Sequence, residues 1–143
     1  IIKCSNFIGD ALDAAATEHF EEVLLVGHIG KLVKVAGGIM NTHSRMADCR
    51  MELFCTYAAL TGAKKEVCEA LMQAATTDAC LDILDQNGLR EPVMHGLINA
   101  VQLHLERRAA GAFQVGAVLF SNQTGPLGQT ETAEKLLQKW KES

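Results

Sequence analysis

The feature that most restricts the fold of this chain is a short, continuous apolar run between charge and glycine, EEVLLVG at residues 21–27. Such a run predicts a strand buried on both faces of a parallel sheet. IIK at the start of the chain and AFQVGAVLFS at 112–121 are two further strand candidates, and apolar residues recur at helical spacing between them. The order predicts an α/β fold: a three-layer domain with a small, mainly parallel sheet flanked by helices.

The helical segments have predictable ends. Ser5 is a candidate N-cap for a first helix that runs to about His19, and Ser44 is a candidate N-cap for a later helix that ends near Gly62. The other predicted features are a short helix at 31–36 stopped by Gly37 and Gly38, helices closing at Asn87-Gly88 and at Gly111, a turn-rich loop NQTGPLGQT at 122–130, and a last helix with Ala133, Leu136, Leu137 and Trp140 on one face.

Composition narrows the functional classes. The 143 residues, 48% of them hydrophobic, are enough for one packed core. A net charge of −4 argues against nucleic acid, and no apolar run approaches the roughly 20 residues that would span a bilayer. Five cysteines without a C-x-x-C pair suit a reducing compartment. We therefore expect a cytoplasmic protein with no membrane or nucleic-acid partner, and a homo-oligomer stays open. The first residue is Ile rather than Met, so we expect a piece of a longer polypeptide.

Three loops follow the predicted strands: CSN at 4–6, GHIGK at 27–31 and SNQTG at 121–125. They are expected at one edge of the sheet, where α/β proteins bind ligands. The Ser-Asn pairs at 5–6 and 121–122 can cap helices or hold polar parts of a ligand, and capping is the simpler explanation for Ser5.

The stretch LLVGHIGKLVKVAGGIMNTHSRMADCRME, residues 24–52, contains most of the candidate chemistry. Gly27, Gly30 and Lys31 resemble a shortened phosphate loop, but they match no complete nucleotide motif, so a structural turn is favoured. His28 and His43 are candidates for a general base or for hydrogen bonding. No third ligand stands at a zinc spacing, so we predict no protein-bound metal.

Four cations, Lys31, Lys34, Arg45 and Arg50, lie close together in an otherwise acidic chain. They suit an anionic ligand with several carboxylates, or else a solvated helix face paired with acidic neighbours such as Asp48. The residues alone leave these alternatives open.

CSNFIGDALDAA at 4–15 and the stretch at 24–52 together resemble the cobalt-precorrin-5B C(1)-methyltransferase family, the CbiD type of anaerobic cobalamin biosynthesis. The resemblance implies transfer of a methyl group from S-adenosylmethionine to ring carbon C-1 of a tetrapyrrole, which converts cobalt-precorrin-5B to cobalt-precorrin-6A. Cobalt would arrive within the substrate. The cations would then bind the acid side chains of the macrocycle, and a base, which this transfer does not require, would be His28 or His43.

The candidate binding residues are Ser5, Asn6, Gly27, Gly30, Lys31, Lys34, Asn41, Thr42, Ser44, Arg45, Asp48, Arg50, Ser121 and Asn122. Among them, Asn41, Thr42 and Ser44 offer groups for amides, carboxylates or ribose. Two other hypotheses are a non-catalytic binding module for an anionic tetrapyrrole or nucleotide, and a zinc hydrolase that uses His28, His43 and Asp48.

The sequence departs from the family pattern in two ways. Cys49 stands where the family typically has glycine in Ala-Asp-Gly-Arg, so a thiol could narrow the pocket or face the core. Family members also run to roughly twice this length, with more than one domain. We therefore expect residues 1–143 to be a single C-terminal α/β domain without its N-terminal domain, and such a piece need not be active alone.

Overall fold

A computed structural model describes residues 6–142. The strands are β1 (Glu22–His28), β2 (Gln114–Ser121) and β3 (Gly125–Gln129). The helices are α1 (Ile8–Thr17), α2 (Ile29–Leu32), α3 (Arg50–Leu60), α4 (Lys65–Gln73), α5 (Thr77–Gln86), α6 (Arg90–Ala109) and α7 (Glu131–Glu142), and a 3₁₀ helix (Val33–Gly37) follows α2 directly. The predicted strand IIK and the predicted cap Ser5 lie outside the described residues.

The described sheet is mixed, with the strand order β1-β2-β3. β1 and β2 are parallel, from Glu22 beside Gln114 to His28 beside Phe120, whereas β3 runs antiparallel to β2. "Mainly parallel" is therefore a loose description of this sheet. The prediction of a turn-rich loop over 122–130 is confirmed for the turn at 122–124 but was wrong for 125–129, because pairing with β2 makes a strand from a segment of low strand propensity.

Helices cover the two faces of β2. Gly128, opposite Leu119 in the sheet, lies against Ile98 of α6, where an added Cβ would come within 2.6 Å of the Ile98 side chain. Gly116, on the other face of β2, lies against Ala133 of α7. The sheet between these helices confirms the predicted three-layer α/β domain. On β1, however, Val26 is 59% exposed, so the prediction of burial on both faces was wrong for that strand.

Two predicted helix starts also differ from the structure. The N-cap positions of α1 and α3 are Phe7 and Cys49, and neither side chain makes a capping hydrogen bond. Residues 6–7 are instead bridged to 41–42, with the Thr42 N–H donating to the Asn6 carbonyl at 2.9 Å. Ser44 lies in a turn six residues before α3 begins. Both helices therefore begin later in the chain than predicted.

The remaining predicted helices are present, although the short helix predicted at 31–36 is α2 followed by the 3₁₀ helix, over residues 29–37. The ends at Gly38, Gly62, Gly88 and Gly111 all fall at positive φ, the left-handed region that glycine adopts readily. In α7, Ala133 and Leu136 are buried as predicted, while Leu137 and Trp140 are 38% and 40% exposed, so only half of the predicted apolar face is in the core. Within residues 6–142, no helix combines the length and apolarity needed to span a bilayer.

Candidate functional site

A cavity of about 520 Å³ lies at the edge of the sheet where β1 and β2 end. Because the two strands are parallel and in register, the segments that follow them meet at this edge. We call it the edge cavity. It is lined by Asn6, His28, Gly30, Lys31, Lys34, Thr42, His43, Ser44, Arg50, Thr76, Thr77, Asp78 and Asn122.

The fold brings ten of the predicted site residues to this cavity, from segments as distant along the chain as Asn6 and Asn122. Five others, Gly27, Asn41, Arg45, Asp48 and Ser121, do not line it. Ser121 is 2% exposed, and its hydroxyl oxygen accepts a hydrogen bond from the Thr124 N–H at 3.0 Å in the turn between β2 and β3. Ser5 lies outside the described residues. The ligand roles of all these residues stay predictions.

His28 is the N-cap of α2 and lies on the wall of the edge cavity. Its Nδ1 accepts a hydrogen bond from the Gly30 N–H at 2.9 Å, so the proton of a neutral ring is on Nε2. The ring packs edge-on against Phe120, with centroids 5.8 Å apart. Nε2 is buried and has no partner among the described residues. In this tautomer the buried Nε2–H lacks an acceptor among the described residues, and Nε2 cannot act as a general base while it carries the proton.

Lys34 lines the cavity and also stabilises the loop beside it. It is only 2% exposed, and its Nζ donates to the carbonyl oxygens of Thr42 and Ala47, each at 3.0 Å. These two bonds hold the 42–47 loop over the 3₁₀ helix. At most one of its three donors is left for a carboxylate, so Lys34 is not the freely exposed clamp that the charge pattern suggested.

The side chains of the Asn-Thr-His segment at 41–43 make hydrogen bonds that hold the conformation of this loop. The Asn41 Oδ1 accepts from the His43 N–H at 3.2 Å, and the His43 Nδ1 accepts from the Arg45 N–H at 3.1 Å. The Thr42 hydroxyl donates to the Asn6 Oδ1 at 3.2 Å. His43 thus also directs an Nε2–H donor outward when its ring is neutral.

Arg50 is paired with Asp48. Its Nε and Nη2 donate to Oδ1 and Oδ2 of the carboxylate at 2.9 and 3.0 Å. These side-chain hydrogen bonds lower the pKa of Asp48 to about 2. The alternative of a cation paired with an acidic neighbour is therefore correct for Arg50, although its side chain also lines the cavity.

Sequence reasoning missed the contribution of residues 76–78, at the start of α5. The Thr76 hydroxyl oxygen caps the helix by accepting from the Ala79 N–H at 3.1 Å. The Oδ1 of Asp78 is buried and has no partner among the described residues. The run Thr-Thr-Asp before an apolar face signals a helix start, but nothing in the sequence places that start beside residues 28–50.

The structure also shows how the candidate metal-ligating side chains are placed and where Cys49 lies. In the part of the chain that the structure describes, no group of three or more His, Cys, Asp or Glu side chains is placed to hold a metal ion. The structure does not bring together His28, His43 and Asp48, the set named for a zinc hydrolase, because Asp48 bonds to Arg50 and does not line the cavity. Cys49 lies against Gly37 rather than in the cavity, and burial raises the pKa of its thiol.

The fold and the cavity define an α/β domain with a polar cavity, lined by three cations among other residues, at the edge of its sheet. Residues 41–131 match the family model for the C-terminal domain of CbiD. The chain therefore belongs to the CbiD C-terminal domain family, which confirms the resemblance.

The relatives carry a consistent name. Proteins named cobalt-precorrin-5B C(1)-methyltransferase are 45% identical over 85% of this chain in Ruminiclostridium cellulolyticum, 34% over 96% in Alkaliphilus metalliredigens and 37% over 98% in Moorella thermoacetica. The matched regions make up 32%, 36% and 38% of those relatives. The chain thus spans about a third of their length, a smaller share than the half expected from the sequence. No solved structure matches it significantly.

Proposed function

We propose that residues 1–143 are the C-terminal α/β domain of a cobalt-precorrin-5B C(1)-methyltransferase. The proposed reaction transfers the methyl group of S-adenosylmethionine to ring carbon C-1 and gives cobalt-precorrin-6A in anaerobic cobalamin biosynthesis. The observation that carries the proposal is the alignment of relatives with that name over 85 to 98% of this chain. Since the chain spans about a third of those relatives, the remainder of the enzyme would contribute to the reaction as well.

The donors of the edge cavity fit an anionic macrocycle. Lys31 and His43 are exposed on the cavity wall, and the His43 Nδ1 accepts from the Arg45 N–H, so its neutral ring offers an Nε2–H. Charged or neutral N–H donors of this kind bind carboxylates, which the acid side chains of the macrocycle would supply. Lys34 and Arg50 already have protein partners, so they would add positive potential more than direct contacts.

Methyl transfer depends more on the alignment of the two substrates than on acid or base catalysis. S-adenosylmethionine supplies an electrophilic methyl group on a sulfonium, and the carbon–sulfur bond breaks as the new bond to C-1 forms. The residues of this domain would hold the macrocycle so that C-1 faces the methyl group and would keep water out. In the tautomers that these hydrogen bonds imply, both His28 and His43 would serve as hydrogen-bond donors that orient the two substrates.

The test is methyl transfer by the intact protein under anaerobic conditions, with cobalt-precorrin-5B and S-adenosylmethionine labelled in its methyl group. We expect the label in the macrocycle. Lys31→Ala should weaken macrocycle binding about threefold to tenfold, and less so at high salt. Lys64→Ala, which removes an exposed lysine outside the cavity, is the matched control.

Two results would contradict the proposal. If the macrocycle binds but no label is transferred, the domain belongs to the second class, a non-catalytic binding module for tetrapyrroles. If neither the macrocycle nor S-adenosylhomocysteine binds to the intact protein, both hypotheses fail.

A further inference from the structure

Two residues that line the edge cavity each have one buried polar atom without a partner among the described residues: the Nε2 of His28 and the Oδ1 of Asp78. Buried polar groups in proteins are nearly always hydrogen-bonded, because an unpaired one costs free energy. Two such atoms in residues that line one cavity therefore point to a ligand that satisfies both.

The segments that carry these two residues come close together at Gly30. A Cβ on Gly30 would be 3.1 Å from the Nδ1 of His28 and 3.5 Å from the hydroxyl oxygen of Thr77, the residue before Asp78. The absence of a side chain at Gly30 thus lets the segment after β1 approach the start of α5. We call this part of the cavity, formed by His28, Gly30, Thr77 and Asp78, the α5 corner.

The chemistry of the α5 corner differs from that of the rest of the cavity. The Nε2 of His28 carries a proton and requires an acceptor, whereas the carboxylate of Asp78 requires a donor. A macrocycle with ionised acid side chains offers acceptors, and its charge would be repelled by Asp78. A sugar hydroxyl is neutral and can donate to the carboxylate while its oxygen accepts from the imidazole.

We infer that the α5 corner binds the ribose hydroxyl groups of the methyl donor, with Asp78 as the acceptor and His28 as the donor. This inference rests on the proposed function, since it assigns one of the two substrates to a subsite of the same cavity. It places the methyl donor beside α5 and leaves the wall with Lys31 to the macrocycle.

The test measures binding of S-adenosylhomocysteine to the intact protein by calorimetry. Asp78→Asn keeps the shape of the side chain and removes its charge, and it should raise the Kd about tenfold or more. Asp82→Asn changes an exposed aspartate on the same helix, outside the cavity, and should leave the Kd within about twofold. Thermal unfolding of both variants shows whether α5 is intact.

A second ligand makes the result independent of how well the variant folds. S-adenosylhomocysteine that lacks the 2′-hydroxyl should bind the unmodified protein more weakly, and Asp78→Asn should cost much less affinity with this ligand than with the complete one. If Asp78→Asn lowers both affinities equally, or neither, the ribose assignment is wrong while the proposed function stands. If the unmodified protein does not bind S-adenosylhomocysteine at all, the proposed function and the inference fail together.

Discussion

At the scale of single residues, the buried ammonium group of Lys34 organises the loop that forms one wall of the edge cavity. Replacing it with methionine keeps a chain of similar length but leaves the Thr42 and Ala47 carbonyls without their donor. We expect Lys34→Met to reduce the free energy of unfolding by about 1–3 kcal/mol, because buried acceptors lose their partner. Urea unfolding measures the change. Lys31→Met, at an exposed neighbour, should cost less than about 0.5 kcal/mol, and equal losses in the two variants would refute the structural role of Lys34.

The Asp48–Arg50 pair predicts a pH dependence of stability. Hydrogen bonds from Arg50 lower the pKa of Asp48 in the folded protein to about 2, against about 3.9 in an unfolded chain. The pair therefore stabilises fully above about pH 5, and its contribution is lost as the pH falls toward 2. Because the Asp48 side chain is 43% exposed, the size should stay within the ~0–1 kcal/mol of surface pairs. Urea unfolding at pH 6 and at pH 2.5 should show a smaller loss for Asp48→Asn than for the unmodified protein, and an identical loss would contradict the assignment.

The candidate residues at 27–50 could be predicted because functional groups are dense there in a chain that is otherwise apolar or helical. Their individual roles could not, since the roles depend on hydrogen bonds that only the folded loop sets. Lys34 and Lys31 have the same side chain, yet one is buried on two carbonyls and the other is exposed. Asp78 was missed for a related reason: it reaches the cavity through the packing of α5, not through its neighbours in sequence.

At the scale of secondary-structure elements, the close contact between β2 and α7 depends on Gly116. A Cβ at this position would come within 2.4 Å of the backbone nitrogen and 2.6 Å of the Cα of Ala133, so α7 would have to move. We expect Gly116→Ala to cost about 1–3 kcal/mol of stability. In the control Gly128→Ala, the added methyl meets only the end of the flexible Ile98 side chain, so the loss should be smaller. Chemical denaturation of the two variants gives the comparison, and the reverse order of losses would disprove it.

The elements that could be predicted are those whose apolar pattern matches their surroundings. β2 and α6 are long, regular and packed on the core, so their periodicity in sequence locates them. The segment Gly125–Gln129 has no such pattern and becomes β3 only by pairing with β2. The later start of α1 has the same kind of cause, since residues 6–7, directly before the helix, bond to residues 41–42.

At the scale of the whole molecule, the location of the site could be predicted better than the set of residues that lines it. Parallel pairing of β1 and β2 puts the ends of both strands at one edge, and this topology follows from the order of apolar runs. The part of the cavity formed by residues 76–78 depends on how the helices between the strands pack. Cys80 of α5 packs against Met51 of α3, with their sulfur atoms 3.7 Å apart, and so places the start of α5 beside the start of α3.

That packing predicts how the molecule responds to a ligand. A compound that fills the edge cavity contacts lining residues of the 41–50 segment and residues 76–78 at once, although they are far apart in the chain. At a concentration of one hundred times its Kd it should stabilise the fold by about 2.7 kcal/mol. Hydrogen exchange of the intact protein with S-adenosylhomocysteine should therefore slow at amides in both segments, and more than in α4, which does not line the cavity. Protection confined to residues 41–50 would mean that α5 is not part of the site, and the cavity would then be a feature of packing alone.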